Sequence, residues 1–171
     1  MRPSGSSCRL RAVEPGDAEL IYAWENDPAL WPVSGTVAPF SRYVIGRFIE
    51  RGCDIWAERQ MRLMIETAEG RTVGAVDLFE FDPLHLRAGV GIAIYAAEDR
   101  RKGYASEALV LLESYARDTL RLHQLWCGVG AGNAASLALF RRAGFVESGR
   151  RRDWLSTPDG WCDEIEFQKI L

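Results

Sequence analysis

The sequence predicts a mixed α/β fold built on one central sheet, and three observations carry that prediction. Short apolar runs with strand character recur along the chain. Amphipathic stretches of helical period lie among them, and glycine- and proline-containing turns separate the two kinds. Such an order places helices against the faces of a sheet. With 171 residues, one domain spanning 1–171 is expected, residues 1–7 forming a flexible tail.

Residues 8–13 alternate as a first strand. Glu14-Pro15-Gly16-Asp17 then opens a helix, with proline and acidic residues near its start. That helix carries Leu20, Ile21 and Trp24 on one face and stops near Asn26-Asp27-Pro28. Residues 29–39 contain Pro32 and Pro39 and read as loop; residues 41–50 read as a second helix with Val44, Ile45, Phe48 and Ile49 apolar. Glu69-Gly70 is a turn between strands at 61–67 and 71–81. Residues 88–94 form an unbroken apolar run, as in a fully buried strand. A long helix from Tyr104 then puts Ala105, Ala108, Leu109, Leu112, Tyr115, Ala116 and Leu120 on one face. A strand at 124–129, a helix at 133–143 and strands at 147–154 and 161–171 complete the chain. Ser156-Thr157-Pro158-Asp159-Gly160 turns the last two strands into a hairpin, whose flanking Trp154 and Trp161 are expected in the core. The predicted order is β-α-α-β-β-β-α-β-α-β-β.

Composition narrows the function classes. Hydrophobic residues make up 47% of the chain and the formal net charge is −3, which gives no support to nucleic-acid binding. Cys8, Cys53, Cys127 and Cys162 are scattered and, with His85 and His123 the two histidines, offer no metal-ligand spacing. Scattered thiols without a signal segment or a membrane span point to a cytoplasmic protein with no membrane partner.

The segment most indicative of chemistry is Arg100-Arg101-Lys102-Gly103-Tyr104-Ala105-Ser106, set between a strand and a helix start. A turn of that kind bares backbone N–H groups at the positive end of a helix dipole, a seat for a phosphate or pyrophosphate. A Walker-type loop is excluded, because no Gly-Lys-Ser/Thr occurs at the required spacing. Asn133 is placed to cap the later helix, and Gly144 to end it before Phe145. Gly128-Val129-Gly130-Ala131-Gly132-Asn133 imitates half a dinucleotide fingerprint, but Asn133 stands where glycine or alanine is needed.

The Arg-x-x-Gly-x-Ala of residues 100–105 and the Asn133-x-x-Ser136…Gly144-Phe145 pattern resemble the two signatures of the GCN5-related N-acetyltransferase (GNAT) superfamily, and the likeness runs from Arg9 to about Phe167. The resemblance implies a central twisted mixed sheet with a splayed strand pair and flanking helices. It also implies direct transfer of acetyl from acetyl-CoA to a primary amine. Trp24-Glu25-Asn26-Asp27, Gly74 to Glu80 and His85 to Ala88 look like the spermidine N-acetyltransferase branch, although ribosomal-protein N-terminal acetyltransferases share the style.

On that resemblance, acetyl-CoA lies against Ile92, Ile94, Arg100, Arg101, Lys102, Gly103, Tyr104, Ala105, Ser106, Asn133, Ser136 and Phe140. Phe140 stands where the family carries a tyrosine that meets the leaving thiolate, which leaves a non-catalytic acetyl-CoA sensor as an alternative. Tyr95 is then a candidate proton donor and Glu80 the candidate base. Glu25, Asp27 and Asp77 would draw a small cationic amine such as a polyamine. Strand alternation sets Asp77 and Glu80 on opposite faces unless a bulge intervenes. Whether the chain assembles into a homo-oligomer is left open.

Overall fold

The computed structural model describes residues 7–51 and 54–171, so the expected tail lies outside them except for Ser7, as does Cys53. Ser7 is tied down: its backbone N–H donates to the Glu107 carboxylate at 3.1 Å. Seven strands form one sheet: β1 (Cys8–Ala12), β2 (Met61–Thr67), β3 (Thr72–Asp82), β4 (Arg87–Ile94), β5 (Gln124–Gly130), β6 (Val146–Thr157) and β7 (Gly160–Ile170), in the spatial order β1-β2-β3-β4-β5-β7-β6. The helices are α1 (Ala18–Glu25), α2 (Trp31–Ser34), α3 (Arg42–Arg51), α4 (Ile55–Glu58), α5 (Tyr104–Asp118) and α6 (Ala134–Arg142). No helix among the described residues is long and apolar enough to cross a membrane.

Two of these helices correct the sequence expectation. α2 is a single turn within the stretch read as loop; Pro32 sits in its first turn, where its missing N–H costs nothing, and Gly35 ends it at φ 71°. α4 is another single turn, started by the Asp54 carboxylate accepting from the Trp56 and Ala57 N–H groups. Helices this short have no period to read. The Glu69-Gly70 turn closes as expected, with Gly70 at φ 87°.

Packing separates two faces. On one, α5 lays Ala108, Leu109, Leu112 and Ala116 over Leu63, Val76, Leu78, Leu125 and Cys127. On the other, α1 and α3 cover only the β1–β3 side, where Ile21, Ile45 and Ile49 meet Met64 and Ala75. Among the described residues, the second face is therefore bare over β5, β7 and β6. Trp154 and Trp161 are 55% and 68% exposed, not core as expected. They lie beyond the reach of either apolar cluster, on a hairpin tip that projects past the sheet.

One pairing decides the architecture. β4 and β5 run parallel in a sheet whose other pairs are antiparallel. They pair only at Arg87/Gln124, Ala88/Leu125 and Gly89/Trp126, then separate. β5 meanwhile keeps its partner β7 along its whole length, and β4 keeps β3.

Candidate active site

The gap that opens between β4 and β5 exposes a strand edge. The Tyr95 N–H donates to Val73 at 3.2 Å across β3. Alternation then turns Ala93 and Gly91 the same way, and Ile94 and Ile92 toward the gap. Arg100 supports this reading, since its guanidinium reaches the gap-side carbonyl of Ile94 at 3.1 Å; it also reaches the Tyr95 carbonyl, past the end of β4, at 2.8 Å. Among the described residues nothing pairs with Ile92 on the gap side, so its N–H and C=O suit an extended, peptide-like ligand.

At the open end of the gap lies the start of α5. Arg101 and Gly103 have φ of 61° and 91°, so the chain coils into a concave turn before the helix. Among the described residues, nothing accepts from the N–H groups of Arg101 to Ser106. The loop is anchored from below by Asp99, whose side chain is 1% exposed. Arg71 binds it with both guanidinium nitrogens, and Lys102 approaches at 3.3 Å. The Arg71 hydrogen bonds, aided by Lys102, hold the Asp99 carboxyl at about 2. The Arg100 and Lys102 side chains also make contacts within the chain, while both residues stay exposed. Arg101 and the backbone face outward. Across the gap, Asn133 caps α6 through Oδ1 to the Ser136 N–H at 3.1 Å, leaving its Nδ2 to donate.

Phe140 is core. It is 3% exposed, with its ring edge-on to Phe145 at 5.1 Å and stacked on Phe167 at 6.3 Å, so the structure gives it a packing role. Tyr95 is likewise packed, stacked on Trp24 at 3.8 Å, and burial pushes its hydroxyl up to about 12. It also stands six residues beyond Gly89, the last residue of β4 paired with β5, roughly 20 Å along the chain from the point of divergence. Both positions argue against Tyr95 as the thiolate's proton donor. Burial similarly pushes the thiols of Cys8 and Cys127 up to about 12, far from nucleophilic.

The expected acidic acceptor pocket is also rearranged. Arg62, which sequence reasoning passed over, binds Glu25 at 2.5 Å and Asp77 at 2.7 and 3.0 Å. The two carboxylates thus share one guanidinium. Asp27 accepts from the Ala29 N–H at 2.9 Å and shapes the turn after α1. Glu80 has a different setting. β3 shifts register between Phe79 and Asp82, and Glu80 sits in that bulge at φ 47°. The inserted residue sends Phe81 into the core and Glu80 to the bare face, so the condition for Asp77 and Glu80 sharing a face is met. Glu80 borders a cleft of about 490 Å³ with Trp126 and Glu166, beside the last paired residues of β4 and β5. Gly89 lets the Phe79 ring lie flat there, for an added Cβ would come within 2.3 Å of it.

Residues 8–146 match the family described as the acetyltransferase (GNAT) domain. The chain is 28% identical over 144 residues to the spermidine N(1)-acetyltransferase of Vibrio cholerae, covering 84% of this chain and 82% of that one. It is 33% identical over 103 residues to a putative ribosomal N-acetyltransferase of Bacillus subtilis, covering 60% and 55%. In fold it is similar to the crystal structure of the Vibrio cholerae spermidine N-acetyltransferase in complex with CoA and spermine. The TM-score is 0.87 at 24% identity, over 97% of this chain and 96% of that one.

Proposed function

The chain belongs to the GNAT acetyltransferase family and is an acetyl-CoA-dependent N-acetyltransferase, and from that premise we propose that its acceptor is a primary amine of a polyamine such as spermidine. The observation that carries the acceptor is the spermidine N(1)-acetyltransferase likeness over most of the chain. The bare, carboxylate-bearing face at the divergence of β4 and β5 supports it.

The fit of acetyl-CoA rests on features of this chain. The unpaired N–H groups of Arg101 to Ser106 suit a pyrophosphate, and the gap-side edge of Ile92 suits a pantetheine arm. When bound, acetyl-CoA supplies the thioester as acyl donor. The Ile92 N–H faces the gap to meet a carbonyl oxygen, and Asn133 Nδ2 lies on the opposite bank. The acceptor amine must lose a proton to attack, and Glu80 is the carboxylate we assign as base. Its left-handed backbone is uncommon for a residue other than glycine, and such conformations cluster at active sites.

A thiol-release screen of spermidine, spermine, diamines and short peptides tests the assignment. Turnover on polyamines is expected, with Glu80→Gln lowering kcat by about 10²–10⁴. Turnover on peptides with none on polyamines would move the enzyme to the protein N-terminal class.

A further inference from the structure

The cleft beside Glu80 holds more than a base. Its far wall comes from β7 and β6, where Glu166 and Glu164 lie on the bare face. Glycines opposite them make the room. A Cβ on Gly128 would come within 2.6 Å of the Glu164 carboxyl, and one on Gly149 within 2.6 Å of Glu166. The glycine run that imitates a dinucleotide fingerprint thus has another use, leaving a side-chain-free floor on β5 for Glu164 to cross.

Charge and shape in the cleft fit one kind of guest. Asp82 is paired with Arg87 at 3.2 Å. Arg151 bridges the remaining wall, binding Glu164 at 3.2 Å and Glu166 more closely, with its guanidinium 4.8 Å from the Trp154 ring. The lining carboxylates Glu80, Asp82 and Glu166 therefore outnumber the guanidiniums Arg87 and Arg151, and Glu164 stands just behind Arg151. Trp126 adds a half-buried indole between Glu80 and that wall, its ring steadied edge-on by Phe79 at 5.3 Å. Aromatic surface beside surplus carboxylate suits a methylene chain ending in an ammonium group.

We propose that this cleft seats the far end of the acceptor: Trp126 holds the methylene chain, and the distal ammonium displaces Arg151 from Glu164 and Glu166. Arg151 is then an internal stand-in for the ligand's cation, and the cleft selects acceptors that carry a second positive charge. The inference rests on the polyamine reading above and names the residues that would enforce it.

Steady-state kinetics with spermidine, 1,4-diaminobutane and n-butylamine, on wild type and three variants, test it. Arg151→Gln should lower KM for spermidine about threefold by freeing the carboxylates, the range of a part-exposed ion pair. Glu166→Gln and Trp126→Leu should raise it by about as much. KM for n-butylamine, which lacks the distal ammonium, should stay unchanged in the Arg151 and Glu166 variants, and KM for acetyl-CoA in all three. A general loss of stability would shift KM in one direction throughout, so the opposite signs are the signature. Spermidine turnover by wild type, with KM unmoved or moved the same way in the Arg151 and Glu166 variants, overturns the assignment. If Arg151→Gln fails to fold, unchanged KM in the other two overturns it as well. A wild-type enzyme that acetylates no polyamine overturns the polyamine reading itself, and this inference with it.

Discussion

At the residue scale, Gly103 carries the most weight for its size. Its φ of 91° is one that side-chain-bearing residues rarely adopt, while open space surrounds the place a Cβ would occupy. Substitution is therefore opposed by backbone strain and not by crowding. Valine adds β-branching to that strain, so Gly103→Val should unwind the turn that presents the N–H groups of Arg101 to Ser106. The expected result is at least a tenfold loss of acetyl-CoA affinity by calorimetry, about 1.4 kcal/mol, with the far-ultraviolet spectrum unchanged. Unchanged affinity would remove the loop from the cofactor site. Gly103 could be named from the sequence because its conformation is local. Arg62 could not, because what makes it matter is Glu25, 37 positions away.

At the scale of elements, the join between β4 and α5 depends on the buried Asp99. Its carboxyl is held at about 2, against an ordinary 3.8, by the Arg71 hydrogen bonds first and Lys102 second. A carboxyl whose folded value is depressed stabilises fully above its ordinary value, and that contribution fades as pH falls toward the folded one. Wild type should thus melt well above Asp99→Asn near neutrality, and the gap should narrow between about pH 4 and pH 2. A gap that stays constant across that window would mean Asp99 acts through packing alone. Elements with a repeating pattern were open to sequence reading: α5 and α6, and the strands around the Glu69-Gly70 turn, fall within a residue or two of expectation. The one-turn α2 and α4 were not, since four residues cannot display a period of 3.6.

At the scale of the whole molecule, the sheet is two blocks, β1–β4 and β5–β7, joined by three residue pairs. A ligand lying in the gap would tie the blocks together beyond that short seam. Acetyl-CoA at a hundred times its Kd should stabilise the fold by about 2.7 kcal/mol, or roughly 5–10 °C in Tm for a chain of this length. Hydrogen exchange at the Ile92 amide should slow at the same time. A Tm that rises without protection at Ile92 would place the pantetheine arm elsewhere.

What the sequence determined by itself was whatever depends on neighbours in the chain: the order of the strands and longer helices, the glycine turn before α5, and the capped helix after Asn133. Its motifs also pointed to the acetyltransferase family that the match over residues 8–146 bears out. The tertiary structure decided the rest, because electrostatic partners and cavities form between segments distant in sequence. It put Arg62 between Glu25 and Asp77, set Arg100 against the Ile94 carbonyl and Lys102 against Asp99, and sank Phe140 among aromatic rings. It also set Arg151 against two carboxylates 13 and 15 residues away, on the part of the sheet's second face that no described helix covers. A carboxylate's role follows from what stands within a few ångströms of it, and in this chain those neighbours come from other strands.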